Sequence, residues 1–485
     1  MKIKDLIKKK RFSKSNINIT GISENSKEIK KNYIFFFKNT PNAKEKYIDE
    51  ALKNGACLVI YDKNYYINKN KYRNKSLLYA VKNINKSMSE ISEKFYGIEN
   101  IKTKIYGITG TNGKTSVSNL IAQLSNIKKE KCGLIGTLGN GIYPKLKNRS
   151  LTTPNIINIH KNIKNFNDKK SANIVIETSS HGIKQDRILG LKFNSVIFTN
   201  LSQDHLDYHN SMKEYFNTKL LLFTKYKSRK KIICVDNYYG KKIKRILCRE
   251  KNVITVSSNN KDADYYASKI KYTENGINFN VHSIYGEKEI RTNMYGKFSV
   301  INFLLAIAAI VNTKKDYELL IRNYSKIKSI EGRMNKYTKK YYPVTFVDFA
   351  HTPDAVLNVI TSVKKHYPKH EIITLFGCGG ERDNKKRKIM GKIVSDLSDR
   401  VIITDDNPRC EDPRRIYKDI LAGMKVKKNY QIISGRKKAI SACIKKSRKN
   451  KVVLILGKGH EEYQIIKNKN LEHSDGKEVM KAMGI

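Results

Sequence analysis

Residues 107–115 read Gly-Ile-Thr-Gly-Thr-Asn-Gly-Lys-Thr, and the reading of this stretch decides the fold. It follows the β-branched and aliphatic run TKIYGI and precedes SVSNLIAQLSNI, whose apolar residues recur at helical spacing. Strand, glycine-rich loop and helix in that order bring backbone N–H groups onto phosphate oxygens, and the helix N-terminus adds a favourable dipole. The generic phosphate-loop pattern is Gly, any four residues, then Gly-Lys-Ser/Thr. Gly113, Lys114 and Thr115 satisfy its end, but Ile108 stands where its first glycine belongs. On chemistry alone, Lys114 would reach β- and γ-phosphate oxygens and Thr115 would bind Mg2+.

Working outward, similar strand-like runs recur as ANIVIETSS, FNSVIFTNL, KIICVD, YPVTFVDFA, HEIITLFGCG, DRVIITDDNPR and VVLILGKG. Apolar runs of this length ending in polar or glycine clusters read as buried parallel strands, and their alternation with helical stretches predicts an α/β fold. Residues 1–97 differ: a short helix, an extended YIFFF run, then IDEALKNGACLVIYDK as helix and strand. A second break falls near SIEGRMNKY (329–337). Three domains are expected: a small N-terminal α/β domain (1–97), a central P-loop ATPase-like domain (98–332) and a C-terminal Rossmann-like domain (333–485).

The 485 residues include 96 Lys+Arg against 44 Asp+Glu, a formal net charge of +52. Lysine is spread along the whole chain with asparagine, isoleucine and tyrosine, without an RNP-like motif, zinc-finger spacing or a long basic tail. Compositional drift accounts for this, and no specific nucleic-acid partner is expected. No run of eighteen apolar residues and no secretory h-region occur, so a cytoplasmic chain without a membrane partner is expected. The seven cysteines are scattered and form no C-x-x-C pair, which argues against a disulfide framework or structural zinc.

Three more segments place reactive groups after strands. Glu177 ends IVIE, where a carboxylate is costly unless paired or metal-bound. TNLSQDHLDYH (199–209) gathers Asp204, His205, Asp207 and His209, a cluster suited to metal or phosphate. In SMKEYFNTKLLLFTKY, Tyr215, Phe216, Lys219, Leu222 and Phe223 share one helical face. Lys219 is then either a stem running along the core or a desolvated amine of lowered pKa; the residues alone leave both open.

In order and spacing, TGTNGKT, ETSSHG, TNLSQDHLDYH and the YFNTKLLLF helix resemble the central domain of the Mur ligases, ATP-dependent amide-bond ligases of peptidoglycan precursor synthesis. GKFSVINFLLAIA, EGRMNKY, VDFAHTPDA, FGCGGERD, DDNPR and GKGHE resemble the family's later motifs, so the likeness spans nearly the whole chain. Within the family, the D-N-P-R segment resembles the branch that adds meso-diaminopimelate, because its arginine can take the extra carboxylate.

The resemblance implies ATP and Mg2+ as cofactors, and a UDP-muramoyl dipeptide and diaminopimelate as substrates of a monomer. It implies that Gly110, Thr111, Asn112, Gly113, Lys114 and Thr115 hold ATP phosphates. Asn302 would contact adenine and Arg333 a nucleotide phosphate. Asp348 and His351 would lie in the adjoining ATP-side segment. Thr115, Glu177 and His205 resemble magnesium ligands, and Lys219 matches the family's carbamylated lysine (N6-carboxylysine), whose carbamate helps place a second magnesium. Lys114, Lys219, His205 and Arg333 would be catalytic. Ser26, Thr152, Thr153, Ser179, Gln185 and Arg187 match contacts to the UDP-muramoyl dipeptide. Arg382, Asp406, Asn407, Pro408, Arg409, Gly457 and Glu461 match the diaminopimelate site.

Two departures stand out. Asn25-Ser26-Lys27 replaces the family's Asp-Ser-Arg, keeping only the serine, and Ser299 replaces the asparagine of G-x-F-N. A lysine-adding ligase, a folylpolyglutamate-type synthetase, a degenerate remnant and a nucleic-acid-binding P-loop protein are the competing readings. Arg409, the UDP-side motifs and the intact catalytic motifs weigh against them.

Overall fold

The computed structural model describes residues 1–68, 71–72, 78–147, 151–425, 429–447, 449–467 and 469–485. The chain forms two compact units. One comprises residues 1–105, 131–194 and 224–227, the other 106–130, 195–223 and 228–485. Among the described residues, no helix is long and apolar enough to cross a membrane.

In the first unit, the strands Gly21–Ser23, Tyr33–Phe37, Ala56–Asp62 and Leu78–Val81 make an all-parallel sheet in that order. The expected YIFFF run and the helix–strand pair Lys46–Lys53 and Ala56–Asp62 are its centre. Phe35 and Phe37 point into one apolar cluster with Ile48, Ala51 and Val59. The same unit holds the strand Asn173–Glu177, parallel to Cys132–Gly136, and two helices, Ile84–Tyr96 and Ile156–Asp168, packed together.

In the second unit, Tyr106–Thr109 of the strand Lys104–Thr109 lies parallel to Ser195–Phe198, with Ile108 opposite Ile197, and runs straight into the glycine loop. The helix Lys114–Ile127 follows and packs on the apolar helix Lys297–Ile310. Further on, six strands lie in the order Asn335–Tyr337, Val344–Asp348, Lys451–Leu456, Glu371–Phe376, Arg400–Ile403 and Tyr430–Ile432. Only the first pairing is antiparallel. Alternate residues of one strand serve opposite faces. Val452, Leu454 and Leu456 join a core with Val356, Met390 and Ile416, whereas Val453 and Ile455 join Ala439, Ile440 and Val479. Helices therefore cover both faces, as continuous apolar strands demand. Asp348, Gly377, Asp405 and Gly457 all fall at strand C-termini, the edge where open α/β sheets bind ligands.

Candidate active site

The loop after Thr109 is held open for phosphate by two glycines. Gly110 has φ +152° and Gly113 φ +86°, and a Cβ would lie 1.8 Å from Thr199 Oγ1 at the first and 2.7 Å from Asn302 Oδ1 at the second. The loop is stapled to residues 199–202. The Thr111 N–H donates to Asn200 O (3.0 Å) and the Asn112 N–H to Asn200 Oδ1 (2.9 Å). Lys114 Nζ turns back onto Gly110 O (2.8 Å) and Thr111 O (2.9 Å).

Lys219 is 1% exposed, and its Nζ donates to the same Gly110 O at 2.9 Å, 4.6 Å above the Tyr215 ring. Burial pushes its pKa well below the ordinary amine value, and the neighbouring Lys114 adds to this against the pull of Asp204. This separates the two readings left open by the sequence. The stem does run along the core, but the amine is desolvated and aimed at the phosphate loop.

Beside the loop lies a cleft of about 1010 Å³, walled by Tyr295, Phe298, Met334 and Phe349 and reached by Asn302 and Asp354. The Arg333 guanidinium stacks over Phe349 at 4.6 Å and donates through Nη2 to Thr115 Oγ1 at 3.3 Å. Flat aromatic walls that meet a phosphate loop and an arginine fit a nucleoside triphosphate. Ser299, the departure from G-x-F-N, also lines the cleft, and its hydroxyl donates to Tyr295 O (2.7 Å). Asp348 accepts from the Met334 and Ala350 N–H groups (both 2.8 Å), which makes it a brace for the segment carrying Arg333.

Next to the loop, Asp204 is 6% exposed. Burial alone would raise its pKa, but His205, Lys386 and His351 together bring it down to about 2. Lys386 Nζ stands 4.0 Å from Asp204 Oδ1. His205 has a left-handed backbone (φ +54°), with Nε2 3.4 Å from Asp204 Oδ2. In the first unit, Glu177 is wholly buried and accepts from Thr137 N (3.1 Å) and Thr137 Oγ1 (3.0 Å). A hydroxyl, a carboxylate and an imidazole suit Mg2+, which keeps most of its waters and takes few protein ligands. Among the described residues, no three His, Cys, Asp or Glu side chains converge into a cage, and such sparse coordination requires none.

The amino-acid residues expected after the third strand series do converge. Asn407 Nδ2 donates to Glu461 Oε2 (3.1 Å), and Gln464 Nε2 to Asp406 O (2.6 Å). Arg409 (φ +54°) pairs with the hairpin Tyr463–Ile466/Lys469–Glu472. Its N–H donates to Ile465 O at 3.1 Å and its O accepts from Lys467 N at 2.7 Å. Its guanidinium donates through Nη1 to Gly380 O (2.7 Å), and no ion pair among the described residues involves it. Gly457 (φ +117°) lines this site, with space for a Cβ blocked 2.7 Å away by Asp406 Oδ2. Arg382 is largely exposed, 4.0 Å from Asp207.

Sequence reasoning missed Lys458 and Lys386. Lys458 is fully buried and bonds Asn407 Oδ1 (3.0 Å) and Glu461 Oε2 (2.6 Å). Its signal was the pair of glycines around it in GKGHE, and that of Lys386 its place just after FGCGGERD. Both were masked by the abundance of lysine.

In the first unit, Thr153 Oγ1 meets Ser179 Oγ (3.0 Å), Thr152 Oγ1 meets Thr137 Oγ1 (3.1 Å), and Arg187 donates to Thr153 O (2.7 Å) and Gln185 Oε1 (2.6 Å). Ser26, Gln185 and Arg187 line one cleft of about 1440 Å³ with Phe36, Lys38 and Asn155. Ser26 donates to Glu50 (2.5 Å), and the Asn25 side chain accepts from Lys27 N (3.2 Å), so the altered triplet forms a capped turn at the cleft wall.

Residues 108–310 match the Mur ligase middle domain and residues 332–459 the Mur ligase glutamate ligase domain. A UDP-N-acetylmuramoyl-L-alanyl-D-glutamate--2,6-diaminopimelate ligase of Buchnera aphidicola subsp. Baizongia pistaciae is 36% identical, covering 96% of this chain and 94% of that one. The protein of the same name from Clostridium tetani is 37% identical, covering 99% of each. A solved structure of that name aligns with TM-score 0.70 at 27% identity over 100% of this chain and 99% of that one. A Mycobacterium tuberculosis folylpolyglutamate synthase, at 14% identity and TM-score 0.62 over 76% of this chain and 92% of that one, shares the fold. The glycine loop, the buried lysine that faces it and the D-N-P-R loop thus sit in a chain that belongs to the Mur ligase family.

Proposed function

We propose that this chain joins meso-2,6-diaminopimelate to the D-glutamate of UDP-N-acetylmuramoyl-L-alanyl-D-glutamate, with ATP converted to ADP and phosphate. The observation that carries the choice of amino acid is Arg409. Among the described residues its guanidinium donates to the backbone carbonyls of Gly380 and Asn407, in the loop that also carries Asp406 and Asn407, with Asn407 bonded to Glu461. A second carboxylate would meet that planar donor fork bidentately, and the acidic groups would take the neighbouring ammonium. Lysine, the second reading, would bring an ammonium toward a guanidinium.

The γ-carboxylate of D-glutamate attacks the γ-phosphorus of ATP and ADP leaves, giving an acyl phosphate. The amine of diaminopimelate then attacks the acyl carbon, and phosphate departs with the amide formed. The loop from Gly110 to Thr115, Asn302 and Arg333 position the nucleotide, and Lys114 follows the charge on the transferred oxygens. Thr115 and His205 would hold Mg2+ and Glu177 would serve as a further magnesium ligand, and the cation would supply charge neutralisation at the phosphates. Lys219 is poised as a neutral amine to add CO2 and release a proton, giving the carbamate the family resemblance implies. Ser26, Thr152, Thr153, Ser179, Gln185 and Arg187 bind the UDP-muramoyl dipeptide. Residues 1–97, 98–332 and 333–485 divide the work among uridine, ATP and amino acid, in a cytoplasmic monomer with no specific nucleic-acid partner.

Phosphate release with the UDP-muramoyl dipeptide and ATP, compared for diaminopimelate, lysine and no amino acid, tests this. Only diaminopimelate should support turnover, and Arg409→Ala should raise its KM far more than that of ATP. Equal use of lysine refutes the assignment.

A further inference from the structure

The three segments that carry the amino-acid site belong to different parts of the chain: Asp406–Arg409, Gly457, and Glu461 with its hairpin. One fully buried cluster bonds a residue that borders each of the three. Arg436 (1% exposed) pairs with Asp475 (0%) through Nε–Oδ1 at 2.8 Å and Nη2–Oδ2 at 2.7 Å. A carboxylate can only accept, so His473 donates through Nε2 to Asp475 Oδ1 at 2.7 Å.

The remaining reach of the cluster is onto backbone. Arg436 Nη1 donates to Asp405 O at 3.3 Å, the carbonyl just before Asp406. Arg436 Nη2 also donates to Leu456 O at 2.9 Å, just before Gly457. The His473 N–H donates to Glu462 O at 3.0 Å, just after Glu461. Asp405 is held from other sides as well, its carboxylate accepting from Gly435 N (2.7 Å) and the Tyr417 hydroxyl. A buried salt bridge is a poor source of net stability compared with an apolar substitute. What this one supplies is direction: a rigid fork that fixes two strand ends at once through Nη1 and Nη2 while its remaining bonds go to Asp475, tied to the base of the hairpin.

We propose that Arg436, Asp475 and His473 are positioning residues for the amino-acid substrate. They set the mutual register of the D-N-P-R loop, Gly457 and Glu461, and so determine whether both ends of the amino acid are gripped together. The inference rests on the function proposed above and names residues outside the substrate's own contacts. Displacing such a frame by about 1 Å is enough to cost large factors in substrate use.

The test is steady-state kinetics on the full-length enzyme with Arg436→Lys, Asp475→Asn, His473→Ala and His473→Gln, each with its melting temperature. Expected is a KM for diaminopimelate raised by about tenfold or more in the first three. KM values for ATP and the UDP-muramoyl dipeptide should stay within about twofold, and His473→Gln, which keeps a side-chain donor, should recover toward wild type. If Arg436→Lys does not fold, the two His473 variants still decide. Melting temperatures that fall while the three KM values stay unchanged, or that all rise together, overturn the proposal. A wild-type enzyme that does not use diaminopimelate refutes instead the function on which it rests.

Discussion

Lys219 shows how a single residue is decided by its surroundings rather than its type. A lysine at an apolar helical position is ordinarily a stem lying along the core with its charge at the surface. Here the amine is out of solvent, beside Lys114, and its acceptor is a carbonyl of the phosphate loop. Lys219→Ala should lower turnover by about 10²–10³-fold, the scale of losing one preorganised charge at a reacting centre. Millimolar acetate or formate should restore part of it, because a small carboxylate can occupy the vacated space. Near-normal kcat without added anion would dismiss the carbamate role. The sequence placed Lys219 on the buried face by periodicity. It held no sign of the Gly110 carbonyl, which lies far away along the chain.

At the scale of elements, the helices Ile84–Tyr96 and Ile156–Asp168 are joined by Ser92 Oγ and His160 Nδ1 at 2.7 Å. Burial pulls the His160 pKa from 6.5 to about 3, so the folded state holds the ring neutral. The unfolded chain gains a proton below 6.5 and the folded one only near 3. Stability is therefore lost as pH falls through that window, by up to about 5 kcal/mol. Urea midpoints at pH 7 and pH 4.5 should show this loss, and His160→Leu should shrink it while costing about 1 kcal/mol at pH 7 for the lost hydrogen bond. An unchanged acid dependence in the variant would show that other groups govern it. Elements of this kind were legible where the pattern is local. The strand runs and the phosphate-loop helix fall where periodicity put them, and Asp406, Asn407 and Glu461 meet as their motifs implied. Less was legible where a site depends on pairing across sequence. The stacking of Arg333 on Phe349 follows from the antiparallel pairing of Asn335–Tyr337 with Val344–Asp348, and the bridging of Asn407 and Glu461 by Lys458 joins loops that follow two separate strands of one sheet, an order no single segment records.

For the whole molecule, a formal charge of +52 means that 96 basic residues have only 44 acidic ones to match them. Such self-repulsion weakens the compact state and is screened by salt, with a Debye length that shrinks from about 30 Å at 0.01 M to about 8 Å at 0.15 M. Melting temperature should therefore rise between those two concentrations. Retention on random-sequence DNA, if seen at the lower one, should vanish at the higher, as expected of counterion-driven binding without a dedicated site. Retention that persists at 0.15 M would mean a real polyanion surface. Amid this surplus of cations, the Nζ atoms of two lysines, Lys114 and Lys219, converge on a single oxygen, that of Gly110. Lys114 thus has carbonyl partners in Gly110 and Thr111. An arriving triphosphate exchanges partners with them rather than filling a vacancy, so the heat of nucleotide binding will be smaller than a tally of its new contacts implies.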